Sequence, residues 1–146
     1  MKSSGSLSHL ATILQPLMAF DPLEPASHYA IGQLSAHLKV SLRTLRFYEQ
    51  TGLLLPSREG IRRLYSPEDL ERLQVIVALR ELEVSLMGIK ALIATADAGG
   101  PGVEEKLTQQ LDRLLSELRN ANDERIGQLT AINARIAQAR QSIGEG

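Results

Sequence analysis

Residues 31–50, with the sequence IGQLSAHLKVSLRTLRFYEQ, decide the fold. Apolar residues recur at helical spacing in the first eight positions, and a second helical pattern begins at Ser41, which is a good N-cap. Only Lys39 and Val40 separate the two patterns, so the two helices must meet at a sharp angle. Gly52 stands where the second helix is expected to stop. Two short helices around a tight turn predict a helix-turn-helix.

The residues that follow predict a small hairpin and then two more helices. In residues 53–65, two short extended runs flank a polar turn at residues 58–60, which is typical of a hairpin or wing. Ser66 and Pro67, followed by two acids, form a strong helix start. Ser85 caps a further helix with its own apolar stripe.

The C-terminal part of the chain predicts one long helix. Residues 98–102 form a Gly/Pro linker that a helix cannot cross, and residues 103–143 follow as a helical pattern with apolar residues at coiled-coil spacing. A narrow apolar seam of that length cannot be buried by its own helix, so we expect it to pair with a second copy, most simply antiparallel across a two-fold axis. The predicted dimerisation residues are Leu107, Leu111, Leu114, Leu118, Leu129, Ile132 and Ile136.

Residues 1–27 form an N-terminal extension ahead of the domain predicted over residues 28–97. The extension carries leucines at helical spacing, which Pro16 would kink or end. A short docking helix and a flexible tail both fit this pattern, and Met18 offers an alternative translation start.

Composition excludes several classes of protein. The chain has 146 residues, which suits one compact domain or a small domain with an appended element, and its 3% aromatic content favours helix over sheet. Cysteine is absent, so the sequence offers no disulfide, thiolate chemistry or cysteine zinc site. His9, His28 and His37 lack metal-ligand spacing, and no catalytic constellation is recognisable. We therefore expect a cytoplasmic protein that is not an enzyme, has no metal or cofactor, and spans no membrane.

Charge is unevenly distributed although the net charge is only −1. Residues 30–65 hold six basic side chains against two acidic ones, whereas residues 81–146 hold an excess of acids. Such asymmetry is typical of an anion-binding head followed by a segment that neutralises it.

The order of these motifs resembles the MerR family of bacterial transcriptional regulators. The resemblance covers about residues 29–96 and is followed by the expected dimerisation helix. It implies an all-α fold with a small β wing, in which a winged helix-turn-helix head precedes a long antiparallel coiled-coil helix. The matching motifs are IGQL at 31–34, VSLRTLRFYE at 40–49, GLL at 52–54, RRLYS at 62–66, DLERL at 69–73, and Ser85-Leu86 through Ile89.

The resemblance also implies a function: a homodimer that binds double-stranded DNA at a pseudo-palindromic promoter site, bends and untwists it, and works close to RNA polymerase. Residues 41–50 match the recognition helix, where Arg43 is the best candidate for reading a base and Arg46 and Tyr48 for holding phosphates. The wing would grip the flanking backbone. The implied DNA contacts are Lys39, Ser41, Arg43, Thr44, Arg46, Tyr48, Arg58, Arg62, Arg63 and Tyr65.

The chain also departs from the family pattern. Phe47 stands where the family usually has tyrosine, and the wing is shorter than in many relatives. With no cysteine and no residues far beyond the long helix, the chain most resembles effector-less members. Three expectations follow: it is constitutive, it is controlled by a regulatory protein partner, or it is controlled through its N-terminal segment. The alternative is a protein adaptor, such as a chaperone modulator, that binds no DNA, although an adaptor would not need Arg43, Arg46, Arg62 and Arg63 together.

Overall fold

The structure is a computed structural model that describes residues 4–54, 57–59 and 62–145. Contacts divide the chain into two compact units, Met1–Leu111 and Asp112–Gly146. The elements in chain order are α1 (Ser4–Leu14), a short 3-10 helix (Gln15–Leu17), β1 (Tyr29–Ala30), α2 (Ile31–Leu38), α3 (Leu42–Gln50), β2 (Ser57–Glu59), β3 (Arg62–Tyr65), α4 (Pro67–Glu81), α5 (Leu86–Ala98) and α6 (Val103–Glu145).

The predicted helix-turn-helix is confirmed as α2 and α3. Helix α2 ends at Leu38, and the backbone of the next residue, Lys39, is left-handed with φ 59° and ψ 40°. Ser41 then caps α3, because its side-chain oxygen accepts the Thr44 backbone N–H at 3.0 Å. Gly52 has φ 81°, a conformation that suits glycine, where the chain turns away from α3.

A three-stranded antiparallel sheet with the order β1-β3-β2 lies beside the helix-turn-helix. The hairpin was predicted correctly, but its turn was placed wrongly: Arg58 and Glu59 belong to strand β2, where they pair with Arg63 and Arg62. Polar side chains at these two positions had suggested a turn, although edge strands commonly carry charged residues. Strand β1 was not predicted, because a strand of two residues is too short to show alternation.

Helices α4 and α5 supply much of the core of the first unit. Helix α4 begins with a reciprocal capping box: Ser66 N–H donates to the Asp69 carboxylate at 2.9 Å, and Asp69 N–H donates to the Ser66 hydroxyl at 3.1 Å. Both helix starts predicted at Ser66 and Ser85 are confirmed. Leu73, Ile76 and Ile89 are completely buried between the elements.

The N-terminal extension contains helix α1, which packs against α4 and α5. Its Leu7, Leu10 and Leu14 side chains are buried, with Leu10 fully inaccessible. Helix α1 ends ahead of Pro16, which lies in the following 3-10 helix. In this structure, therefore, the three buried leucines make α1 part of the first unit's core.

Helix α6 contributes to both units. Leu107 and Leu111 are 0% and 2% exposed and lie in the first unit, so these two predicted dimerisation residues are already covered by their own chain. The sequence pattern does not distinguish the two cases, because burial within the same chain requires the same apolar spacing as burial against a second copy. In the second unit, Leu129, Ile132 and Ile136 are 44%, 46% and 51% exposed. Across the described residues, none of the helices is long and apolar enough to span a membrane.

Candidate nucleic-acid interface

Helix α3 has one buried face and one exposed, basic face. Leu45 and Tyr48 point into the core, with 0% and 5% of their surface exposed. Arg43 and Arg46 are exposed, and the side chain of Phe47, which follows Arg46 in the sequence, is 45% exposed. Because residues three or four apart share a helix face, burying Leu45 and Tyr48 turns the two guanidinium groups outward. The face can therefore contact a polyanion.

The first turn of α3 adds hydrogen-bonding groups to this face. The Ser41 and Thr44 hydroxyl oxygens lie 3.0 Å apart, and the Ser41 oxygen also accepts the Thr44 N–H. Ser41, predicted as a DNA contact, thus has a structural role as the N-cap. The N-terminal end of a helix also carries a partial positive charge, which favours a nearby anion.

An open cleft of about 340 Å³ lies between α3 and the C-terminal end of α4, lined by Arg43, Thr44, Phe47, Tyr48 and Arg80. The sequence alone does not single out Arg80, because a basic residue in the last turn of a helix is readily explained by the helix dipole. Its Nη1 donates to the Val84 carbonyl at 2.9 Å, which fixes the guanidinium beside the recognition helix. Arg80 is identified as part of this surface only because it lines the same cleft as Arg43 in the folded chain.

Tyr48 is placed differently from the prediction that it holds a phosphate. Burial raises the pKa of its hydroxyl, while the adjacent Arg80, through its charge and a hydrogen bond, acts in the opposite direction. A side chain that is 5% exposed packs the core rather than reaching outward. Tyr48 therefore belongs to the core, and it lines the cleft together with Arg80.

Glu49 connects the recognition helix to the wing. Its carboxylate lies 3.2 Å from Arg63 Nε and accepts a hydrogen bond from the Tyr65 hydroxyl. Tyr65 is fully buried, so its predicted grip on the DNA backbone is wrong: its hydroxyl is held inside the head by Glu49. Arg63 is partly buried in the same ion pair. The sequence could not reveal this, because position 49 meets positions 63 and 65 only in the folded chain.

Tyr65 should make the stability of the head fall at alkaline pH. Burial, followed by the hydrogen bond and negative charge of Glu49, raises the pKa of Tyr65 well above its ordinary value of 10.0. The unfolded chain therefore loses this proton first, so the stabilisation is complete below pH 10.0 and is lost as the pH rises toward the folded pKa. We expect that in the Tyr65→Phe variant the free energy of unfolding, measured by urea titration, falls less steeply with pH above pH 10. Tyr29→Phe is the matched control, and equal steepness in wild type and Tyr65→Phe would contradict the expectation.

The remaining predicted contacts are spread along the same part of the head. Lys39 lies in the turn between α2 and α3, with its ammonium 3.5 Å from the Asp21 carboxylate. Arg58 and Arg62 occupy strands β2 and β3, and their side chains lie outside the described part of the structure. Within the described residues there is no cluster of three or more potential metal-ligating side chains. The His9 and His37 imidazoles instead lie within hydrogen-bonding distance of Thr108 and Gln74.

Comparisons with known proteins show which family this chain is similar to. The profile described as "MerR HTH family regulatory protein" matches residues 29–96. A Haemophilus influenzae protein named HTH-type transcriptional regulator ZntR homolog is 33% identical over 113 residues, which are 76% of this chain and 80% of that protein. The HTH-type transcriptional activator TipA of Streptomyces coelicolor is 36% identical over 121 residues, which are 81% of this chain but only 43% of that protein.

A solved structure is also similar. The crystal structure of a MerR-family transcriptional regulator from Bacillus cereus matches with a TM-score of 0.57 and 29% identity, covering 71% of this chain and 75% of that one. The two curated relatives described above are named as transcriptional regulators, not as enzymes.

Proposed function

Because this chain belongs to the MerR family of helix-turn-helix regulatory proteins and is a DNA-binding transcriptional regulator, we propose that it acts as a homodimer on a pseudo-palindromic promoter site. The observation that carries this proposal is the exposed face of α3, where Arg43 and Arg46 point away from the core. Lys39 lies in the turn that leads into α3, and Glu49 near the end of α3 contacts Arg63 and Tyr65 of the wing.

Recognition of bases is assigned to Arg43. It lies in the first turn of α3, and residues near the N-terminus of a recognition helix reach base edges in the major groove. A guanidinium can donate to both acceptors of guanine, which discriminates this base from the other three. The Phe47 ring beside it offers an apolar surface, to which the methyl group of thymine is complementary.

Binding to the DNA backbone is assigned to the surrounding cations. Arg46 is exposed, and Arg80 is held at the edge of the cleft by Val84. Lys39 adds an exposed cation in the turn before α3, and Arg58 and Arg62 on the strands of the wing are assigned the same role from the sequence. Contacts to phosphates set the position and orientation of the protein on DNA without reading its sequence.

Pairing of two copies is assigned to the exposed apolar residues of α6. Ile126, Leu129, Ile132 and Ile136 leave about half of their surface exposed, which a second helix would cover. Charge favours an antiparallel arrangement: residues 112–124 are net acidic, whereas residues 125–140 contain Arg125, Arg135 and Arg140 and no acid. Two antiparallel copies would bring each acidic stretch opposite the basic stretch of the partner.

A dimer of this kind predicts the layout of its site. Its two recognition helices would enter major grooves about 34 Å apart, one helical turn, or a multiple of that distance. If the protein bends and untwists the DNA to fit, the deformation costs on the order of 1–6 kcal/mol, which the phosphate contacts would offset. Such a change in promoter DNA would act on RNA polymerase bound beside it.

The assignment of Arg43 can be tested by its effect on specificity. In fluorescence anisotropy with the DNA upstream of the protein's own gene, we expect Arg43→Ala to weaken specific binding by about 1–3 kcal/mol and random DNA much less. Arg46→Ala should weaken both nearly equally and reduce the salt slope by about one. Arg119→Ala, an exposed arginine in the second unit, is the control and should leave both affinities near wild type.

Two results would count against these roles. Equal losses on specific and random DNA for Arg43→Ala and Arg46→Ala would remove the distinction between base and phosphate contacts. If the wild-type protein binds neither its own upstream DNA nor neighbouring promoters more tightly than scrambled DNA, the proposal of a site-specific regulator fails and a protein adaptor becomes the better hypothesis.

A further inference from the structure

The N-terminal segment is attached to the turn of the helix-turn-helix at Asp21. The Asp21 backbone N–H donates to the His37 carbonyl at 2.9 Å, and the His37 Nδ1–H donates to the Asp21 carbonyl in return. The Phe20 ring lies against the same imidazole, with ring centroids 5.3 Å apart. On its other side, His37 Nε2 lies 3.1 Å from the Gln74 side-chain nitrogen on α4. These contacts fix the backbone of Asp21 at the end of α2.

The chain on both sides of Asp21 is held as well. Asp21 precedes Pro22, and a residue before proline is restricted to extended conformations. Further along, the Ala26 N–H donates to the Tyr29 hydroxyl at 3.1 Å, and Tyr29 is paired in strand β1. Upstream, Leu14 is buried at the end of α1. The Asp21 carboxylate is therefore presented from a fixed backbone.

The position of this carboxylate matters because it faces a proposed DNA contact. Asp21 Oδ1 lies 3.5 Å from Lys39 Nζ, and the two side chains are 55% and 57% exposed. Lys39 occupies the turn that leads into α3. A phosphate that binds Lys39 would either displace the Asp21 carboxylate or be repelled by its negative charge, because both anions bind the same ammonium group.

We propose that Asp21 competes with the DNA backbone for Lys39, so that the docked N-terminal segment lowers the affinity of the head for DNA of any sequence. This inference rests on the proposed function, because it takes Lys39 to be a phosphate contact. The extension would then act as a built-in attenuator, and loss of its contacts with His37 would free Lys39 and strengthen binding.

The decisive variant is Asp21→Asn, which removes the charge but keeps the backbone bonds to His37. In anisotropy titrations with a duplex from upstream of the protein's own gene and with a scrambled duplex, we expect about two- to fivefold tighter binding to both, the range reached by exposed ion pairs. The dependence of log K on log salt should steepen by up to about 0.9, the value for one further phosphate. Glu24→Gln, on the same segment, changes net charge equally and is the control.

Repeating the Asp21→Asn substitution in a protein without Lys39 distinguishes competition for the ammonium group from a change in the structure of the head. Lys39→Asn removes the ammonium, and asparagine tolerates the left-handed backbone at this position. In that background Asp21→Asn should have no further effect on affinity. If Asp21→Asn matches Glu24→Gln, weakens binding, or acts equally with and without Lys39, the competition is overturned. Failure of the proposed function would be distinct, because the wild-type protein itself would then show no preference for the upstream duplex.

Discussion

Leu10→Ala is expected to lower the free energy of unfolding by about 2–5 kcal/mol, the range for truncating a fully buried leucine. Leu10 is completely inaccessible within α1, which packs against α4 and α5. The shortened side chain would leave a cavity lined by three helices, and cores of this density close such cavities only in part. Urea denaturation followed by circular dichroism measures the loss directly.

The control for this variant lies in the same N-terminal extension. Leu17 is 47% exposed, so Leu17→Ala removes the same atoms and should cost much less. Similar, small losses for Leu10→Ala and Leu17→Ala would mean that α1 is not docked on the head in solution. That result would also remove the basis for the attenuation by Asp21, because α1 and Asp21 belong to the same N-terminal segment.

Ile132→Asp is expected to break the dimer and reduce specific DNA affinity by a factor on the order of 10²–10⁴. The residue lies midway along the exposed apolar stripe of α6, and a buried carboxylate without a partner is costly. Without pairing, each head would bind one half-site alone, and the gain from linking two binding events is of that order. Sedimentation measures the oligomeric state, and anisotropy measures the affinity.

Gln138→Asp introduces the same charge at an exposed position of α6 that does not belong to the apolar stripe, and it should leave both quantities near wild type. A monomeric wild-type protein that still binds its site tightly would contradict the prediction.

The orientation of the helices has a direct test, because the chain contains no cysteine. If the pairing is antiparallel, Leu118→Cys and Leu129→Cys proteins should cross-link when mixed and not separately. Parallel pairing would instead let each protein cross-link on its own, since each position would then face its own copy.

Local sequence determined the helices and their starts. Ser41, Ser66 and Ser85 each cap a helix by bonding a backbone N–H three residues on, an interaction complete within a few residues. Residues 31–50 likewise fixed the helix-turn-helix, because apolar spacing selects the buried face of each helix. The resemblance of these motifs to one family then supplied the function.

Tertiary structure decided which side chains are free to act. Tyr65 is expected from the sequence to be a wing contact, but in the fold it is buried and its hydroxyl donates to Glu49 of α3. Arg80 is 37 residues away from Arg43 along the chain and shares a cleft with it. Leu107 is buried by its own chain, whereas Ile132 has the same pattern and stays exposed. Helical periodicity indicates that one face of a helix must be buried. What buries that face is determined by which elements, remote in sequence, come into contact in the fold.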